Sequence, residues 1–168
     1  MKSGLKIRRD NAESVLSALR SLSKMDVLVG IPEANAARED GEALNNAEIG
    51  YLQSTGATVS IGGQTVTLPP RPFLDMGIED SRDTTTGHLK AAAELVLEGN
   101  SSAALNELEK AGQVARDASK KVIGDGDRLH PISDMTKANR RAQGLPGDKP
   151  LWAHGYLLRS ITYVVRSK

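Results

Sequence analysis

The side chains with the widest chemical repertoire in this 168-residue chain are three histidines, His88, His130 and His154, since the sequence contains no cysteine. The histidines are far apart, and none has a carboxylate or a second histidine at the spacing of a metal-binding motif. The lack of cysteine excludes a disulfide framework, a thiolate metal site and a cysteine nucleophile, and it is typical of a cytosolic protein. The residue types alone therefore predict no metal centre.

Motifs that would indicate an enzyme are also missing from the sequence. Asp125 and Asp127 could open a calcium loop, but the glycine and glutamate required at its sixth and twelfth positions are absent. There is no phosphate-binding Gly-Lys-Ser/Thr loop, no dinucleotide-binding glycine pattern and no Gly-x-Ser-x-Gly elbow. We therefore predict that the protein is not an enzyme and holds no cofactor. An enzyme with an unfamiliar site is an alternative, and it would need a deep pocket with perturbed carboxylates or histidines.

Charge is nearly balanced overall but unevenly distributed along the chain. The net charge of +1 argues against a protein that coats DNA. Residues 31–98 hold four basic and eleven acidic side chains, a balance of −7, whereas the remainder holds 18 basic and 10 acidic ones, or +8. If this asymmetry persists on the folded surface, it favours head-to-tail contact between copies, and a head-to-tail contact that closes forms a ring. Mixing of the charges by the fold is the simpler alternative.

Hydrophobic periodicity predicts the elements that would position these side chains. We expect a single domain over residues 1–168 of the α+β class, with a small, mostly antiparallel β-sheet and a β-hairpin packed against two to four helices. Irregular loops are expected at about 33–43 and 124–150, the second around a polar segment, 134–141, that is compatible with a helix. The main helices are predicted over 12–23, 46–54, 84–99 and from 101 or 102 to 122, and the outer strands over 25–31 and 161–166.

The clearest local signal is a hairpin, in which two β-prone runs, 58–61 and 65–68, flank Gly62-Gly63-Gln64. Its faces are half Thr and Ser, so it buries little apolar surface. It is expected either to project as an arm or to form an ordinary edge hairpin of the sheet. No run approaches the ~18 apolar residues of a membrane span, and the basic N-terminus leads into acidic residues. We therefore expect a soluble, unprocessed protein with no membrane partner.

Two blocks of sequence resemble the neck and tail-completion proteins of tailed bacteriophages. Residues 47–56 (AEIGYLQSTG), the hairpin and residues 68–79 (LPPRPFLDMGIE) resemble a block in which a Glu-Phe-Gly-Thr-like turn precedes Pro-x-Arg-Pro-Phe-Leu. Residues 150–162 (PLWAHGYLLRSIT) resemble the closing Pro-Leu-x-x-Thr-Gly-x-Leu-x-x-Ser-Ile block. Both blocks match in order and spacing, and the similarity extends from about Val27 to Arg166. Leu52-Gln53 stands where the family often has Glu and an aromatic residue, and His154 where Thr is common.

The resemblance implies a structural virion protein of a phage or prophage, with no catalytic activity. Such a subunit assembles with copies of itself into a ring, hexameric in the family, at the head-proximal end of the tail. The ring terminates the tail tube and joins it to the head connector, so the implied partners are tail-tube and connector proteins, with transient, non-specific DNA contact. The implied locations are the host cytoplasm during assembly and the neck of the virion. The alternatives are a nucleic-acid-associated prophage or host factor and a minor tail protein that closes no ring.

Two groups of residues are candidate contact sites on this hypothesis. The hairpin and the proline-rich corner after it are the candidate subunit interface, and basic residues of the C-terminal third are candidates to face the lumen or a partner. No aromatic residue lies between Lys137 and Lys149, so any contact there would be to a phosphate backbone, and a solvated loop is the simpler interpretation. The interface candidates are Thr58, Ser60, Ile61, Gln64, Thr65, Thr67, Arg71 and Phe73. The basic candidates are Lys137, Arg140, Arg141 and Arg159.

Overall fold

The computed structural model describes residues 11–38, 42–145 and 147–168. Within these ranges the chain forms eight helices and four strands. The helices are α1 (Ala12–Leu22), α2 (Glu33–Ala36), α3 (Asn46–Thr55), α4 (Phe73–Asp80), α5 (Arg82–Leu97), α6 (Ser101–Asp125), α7 (Asp134–Ala142) and α8 (Tyr156–Ser160). The strands are β1 (Met25–Gly30), β2 (Ala57–Ile61), β3 (Gln64–Leu68) and β4 (Thr162–Ser167).

The α+β class is confirmed, although the β-structure is divided into two separate sheets. Strand β1 pairs antiparallel with β4, from Met25 opposite Ser167 to Gly30 opposite Thr162. Strands β2 and β3 form the predicted hairpin, which pairs with no other strand in the described part of the chain. Besides the main helices, short helices form in and beside the irregular regions. None of the helices formed by described residues is long and apolar enough to cross a membrane.

Helix α6 is the longest element. The sequence predicts a narrow apolar stripe along it, at alternating steps of four and three residues from Ala104 to Val122, and all of this stripe except the half-buried Ala118 is buried. The Asn100 side chain accepts a hydrogen bond from the Ala103 N–H at its start, and Gly126 ends it with a positive φ of 72°. Small residues let its neighbours approach closely. A Cβ on Gly77 of α4 would overlap the backbone of Ser119, and one on Gly112 would overlap the Tyr163 ring of β4. The buried stripe consists of Ala104, Leu108, Ala111, Ala115 and Val122.

Two apolar clusters lie along α6. The first joins its C-terminal end to α4 and α8 and is centred on Phe73, Ile123 and Ile161, none of which is exposed. The second joins its N-terminal half to α5, with Ala92 and Val96 packed beneath α1 and β1. Because one helix contributes to both clusters, the parts of the chain before and after it are packed on a shared support.

Both regions predicted to be irregular contain a helix. The first, about 33–43, includes the single turn of α2, and the part of it at residues 39–41 lies outside the described residues. The second, 124–150, contains α7, which begins where the Ser133 hydroxyl accepts a hydrogen bond from the Thr136 N–H. The polar segment expected at 134–141 is therefore helical. The Ser133 cap fixes the start of the helix. The hydrogen bond from Arg140 to the Trp152 carbonyl oxygen holds α7 beside the segment that leads into α8.

Candidate functional site

The hairpin begins and ends at one place on α3. Helix α3 starts with a reciprocal cap between Asn45 and Glu48 and ends at Gly56, whose φ is 76°. The chain then runs through the hairpin and returns to Arg71, whose backbone N–H donates to the Gln53 carbonyl oxygen at 2.8 Å. The hairpin therefore leaves the fold after the last turn of α3, and the chain returns to that turn just before α4 begins. Pro70 and Pro72 restrict the backbone at this return point.

The Arg71 side chain is the most deeply buried cation in the described part of the chain, with 6% of its surface exposed. Its Nε donates to the His130 carbonyl oxygen at 2.7 Å, Nη1 to Gln53 Oε1 at 2.8 Å, and Nη2 to the Pro131 carbonyl oxygen at 3.0 Å. All three acceptors are neutral. Burial lowers the pKa of Arg71, and the positive charge of Arg140 lowers it further. The site therefore holds a desolvated charge without a counter-charge.

Beside Arg71 lies a groove of about 530 Å³, here called the Arg71 groove. Its walls are the end of β3 with Pro69, residues 130–136 leading into α7, and residues 151–157 leading into α8. Most of the wall is apolar, with hydroxyl groups from Thr67, Ser133 and Thr136. None of the residues lining it is acidic. Its basic residues are Arg38, Arg71, Arg140, His130 and His154.

Arg140 is the second desolvated cation of the groove. Its Nη1 donates to the carbonyl oxygens of Lys149 and Trp152, at 2.8 Å and 3.0 Å. Burial lowers its pKa, an effect that the charge of Asp148 opposes. Helix α7 thus presents one arginine towards the segment that precedes α8, and this arginine ties that segment, including the half-exposed Trp152, to the groove wall.

A stack of cations and aromatic rings forms the other end of the groove. The guanidinium carbons of Arg38 and Arg159 lie 5.5 Å and 5.2 Å from the centroid of the Tyr156 ring, within cation–π range. The His154 ring lies 5.5 Å from the same ring, and Arg159 Nη2 donates to the His154 carbonyl oxygen at 3.1 Å. Glu42 lines a smaller adjoining cavity with Arg38. Glu42 is the one acidic residue among the described residues that line these two cavities.

Two residues predicted at a subunit interface are instead buried inside the subunit. Phe73 has no exposed surface and lies at the centre of the first apolar cluster. Arg71 is committed to three internal hydrogen bonds, so its role in this fold is to join α3 to residues 130–131. The Ile61 side chain lies outside the described part of the structure. The remaining candidates are exposed on the hairpin, namely Thr58, Ser60, Gln64, Thr65 and Thr67.

The four basic candidates do not form one surface in the described structure. Lys137 pairs with Asp134 at 3.1 Å, and Arg141 pairs with Asp148 at 3.5 Å. Of the four, only Arg140 lines the Arg71 groove, while Arg159 packs on Tyr156. Sequence reasoning missed Arg38, which also lines the groove. The sequence does offer a signal for Arg71, because this arginine stands between Pro70 and Pro72, where the backbone is restricted.

The histidines remain unconnected to one another by any metal-binding arrangement. His88 Nδ1 lies 2.6 Å from Glu107 Oε2, and Lys110 lies 2.6 Å from the other oxygen of the same carboxylate. Hydrogen bonds from Lys110 and then His88 lower the pKa of Glu107. Across residues 11–38, 42–145 and 147–168, no group of three or more His, Cys, Asp or Glu side chains is placed to hold a metal ion. The His88 cluster is therefore a hydrogen-bonded network between α5 and α6 that contains the Lys110–Glu107 ion pair.

Comparison with known proteins yields no relative. No family model matches the chain, and no curated protein or solved structure matches it. The functional proposals therefore depend on the residues of this chain and on the geometry of the fold.

Proposed function

We propose that the protein is a structural subunit of a phage or prophage neck. In this role it associates with copies of itself into a ring at the head-proximal end of the tail, ends the tail tube and joins it to the head connector. It acts in the host cytoplasm during assembly and in the neck of the virion afterwards. The observation that carries the proposal is the exposed hairpin, considered together with the two sequence blocks that resemble this family.

The hairpin is unusual for an element of a solitary protein. Its strands pair with each other but with no further strand among the described residues, so each has one unpaired edge. Most of its described side chains are exposed, whereas Ala57, Val59 and Leu68 are half-buried. A two-stranded hairpin is marginally stable alone, and proteins normally cover or disrupt free strand edges. Contact of the free β2 edge with a second copy would satisfy the hydrogen bonds of that edge and stabilise the hairpin.

Exposed apolar and charged groups elsewhere support self-association. Tyr51, on α3 next to the hairpin, is 69% exposed, and tyrosine is enriched in protein interfaces. The carboxylates of Asp75 and Asp83, at the starts of α4 and α5, are exposed and form no ion pair with the described residues. Exposed, unpaired acidic groups of this kind suit contact with a basic surface of a second copy, and head-to-tail contact closes into a ring when the rotation allows.

The direct test is the oligomeric state of the purified chain. We expect closed rings in negatively stained electron micrographs at high protein concentration, and a concentration-dependent larger species in sedimentation velocity. Thr65→Lys adds a charge to the hairpin and should lower the ring fraction at least fivefold. The matched control Asn106→Lys adds the same charge at an exposed position of α6 and should leave the ring fraction unchanged. A wild-type chain that stays monomeric at the highest soluble concentration would contradict the proposal.

The same samples separate the alternatives. A nucleic-acid-associated factor predicts binding of the monomer to duplex DNA that weakens steeply with salt. A minor tail protein without a ring-closing role predicts association with tail components but no closed ring. Rings in the absence of strong DNA binding would favour the neck subunit over both.

A further inference from the structure

We propose that the Arg71 groove binds an extended acidic segment of a different polypeptide, which adds a strand to the free edge of β3 and places a carboxylate against Arg71 and Arg140. This inference goes beyond the proposed ring, because it assigns a receptor site for a second kind of chain. It does not depend on whether the subunit closes a ring.

The charge of the groove is the first argument. Three arginines and two histidines line it, and none of the lining residues is acidic. Arg71 is 6% exposed, and its acceptors are two backbone carbonyl oxygens and the side-chain amide oxygen of Gln53. A guanidinium has five N–H groups, so one N–H on Nη1 and one on Nη2 have no acceptor among the described residues. A carboxylate in the groove would supply both the acceptor and the missing negative charge.

The second argument is the shape of the wall that β3 contributes. Three consecutive residues, Val66, Thr67 and Leu68, line the groove. Successive side chains of a strand point to opposite faces, so three in a row line a cavity when the strand presents its edge to it. Every second residue of β3 turns its N–H and C=O away from β2, and no described strand pairs with that side. An extended peptide could form this missing ladder, with alternate side chains entering the groove.

The lining favours a peptide over a nucleic acid. Phosphate-binding surfaces use exposed lysines and arginines, whereas Arg71 is buried and Arg140 is half-buried among apolar residues. The apolar wall, which includes Ile132 and Leu157, fits an apolar residue next to the acidic one. Against a wall of this kind, a carboxylate flanked by aliphatic side chains is complementary in both charge and hydrophobicity.

No described strand of this chain offers an unpaired acidic residue, and we assign the acidic segment to another protein. Strands β2, β3 and β4 contain no acidic residue, and the single acidic residue of β1, Asp26, pairs with Lys168 at 3.1 Å. The acidic residues of α4 and α5 lie on helices, which cannot extend a β-ladder. The partner is therefore a different polypeptide with an exposed, extended acidic and aliphatic segment.

The test uses the full-length chain and an array of immobilised hexapeptides, each with a central Asp or Glu between β-branched and aliphatic residues. Twin peptides carry Asn or Gln at the centre, and a second series carries N-methyl groups at alternate amides. We expect acid-centred peptides to retain at least fivefold more protein than their amide twins. In a β-ladder only alternate N–H groups of the peptide face β3. We therefore expect N-methylation of the amides that face β3 to abolish binding, and N-methylation of the alternate amides to leave it intact. Equal retention of acidic and amide peptides, or indifference to N-methylation, would overturn the proposal.

A near-isosteric variant tests the role of Arg71 without removing it. Gln53→Glu supplies an internal carboxylate to Nη1 and should reduce the preference for acidic peptides at least fivefold. Gln113→Glu adds the same charge at an exposed position of α6 that does not line the groove, and it should leave the preference intact. Arg140→Gln should weaken the preference in the same direction as Gln53→Glu. An unaltered preference in both groove variants would locate the acidic site elsewhere and refute the assignment.

Two further arms separate this site from the ring and from nucleic acid. Ring formation in electron micrographs should persist in Gln53→Glu, because the bound segment is not part of a neighbouring subunit. Loss of rings in this variant alone would contradict the assignment to a different polypeptide. A labelled 20-nucleotide oligothymidine should not compete with the acidic peptides at physiological salt. Competition that disappears in Arg140→Gln would instead identify a phosphate site and overturn the peptide proposal.

Discussion

Arg71 and Gln53 are joined twice, once through the backbone and once through the side chains. The Arg71 N–H donates to the Gln53 carbonyl oxygen, and Arg71 Nη1 donates to Gln53 Oε1, both at 2.8 Å. These two bonds fix the distance and the orientation of the end of α3 relative to Arg71, the third residue after β3. The same arginine reaches residues 130 and 131, so one side chain ties together three segments that are distant in sequence.

Removal of the Gln53 amide should therefore destabilise the fold. In Gln53→Ala, Arg71 Nη1 loses its acceptor in a site with little access to water, and an unsatisfied buried donor costs about 1–3 kcal/mol. Urea unfolding followed by circular dichroism should show this loss. Gln113→Ala is the matched control, because Gln113 Nε2 donates to the exposed Tyr163 hydroxyl at 3.2 Å. A similar effect in both variants would argue against a special role for the Arg71 bond.

Alanine substitution at two glycines of successive helices should change the free energy of unfolding in opposite directions. A Cβ on Gly77 would overlap the backbone of Ser119, which cannot turn away as a flexible side chain can. Overpacking of this kind costs about 1–3 kcal/mol or more. Gly87 of α5 has open space around its Cβ position, so Gly87→Ala should stabilise the chain by about 0.5–1 kcal/mol. Thermal unfolding of the two single variants measures both signs, and destabilisation by Gly87→Ala would refute the expectation.

Periodicity predicted the elements of this fold better than it predicted the groove. The alternating steps of three and four between Ala104 and Val122 are local, so they predicted the buried face of α6 correctly. The hairpin was predicted for the same reason, from its two glycines and flanking β-branched residues. The environment of Arg71 could not be predicted in this way, because its acceptors at residues 130 and 131 are backbone carbonyls, which every sequence contains. Phe73 was misassigned because an aromatic residue after a proline corner suits an interface and a core equally well.

The ion pair between Asp80 and Arg128 should make stability depend on acidity. Arg128 Nη1 and Nη2 donate to the two oxygens of Asp80, and this hydrogen bonding lowers the pKa of Asp80 below its ordinary value. The resulting stabilisation is present above the ordinary pKa of an unfolded aspartate and is lost as the pH falls through the lower pKa of the folded state. Asp80→Asn should therefore unfold at lower urea concentration than the wild type at neutral pH.

The difference in the urea midpoint between the wild type and Asp80→Asn should shrink as the pH approaches and passes below 3.8, the ordinary value for aspartate. Arg128→Gln should reproduce the loss at neutral pH. The double variant should cost less than the sum of the two single variants, because each single change already breaks the pair. Additive effects, or a difference that stays constant with pH, would contradict this account.

The tip of the hairpin should be a separate unit of stability. Gly62 and Gly63 have φ angles of 58° and 78°, a conformation that asparagine tolerates and a β-branched residue does not. We expect Gly62→Val to raise the hydrogen-exchange rate of the β2 and β3 amides at least tenfold, with those of β1 and β4 unchanged. Gly62→Asn should exchange like the wild type. Faster exchange throughout the chain in Gly62→Val would show that the hairpin is coupled to the rest of the fold.

The position of Trp152 makes the groove visible to spectroscopy. It is the one tryptophan of the sequence, and the chain has only three tyrosines to contribute background emission. Its carbonyl oxygen accepts a hydrogen bond from Arg140, and the residue is 36% exposed to solvent. Trp152 stands between Leu151 and Ala153, which both line the groove, so its intrinsic fluorescence reports on the segment that forms this wall and occupancy can be titrated in the unlabelled wild-type chain.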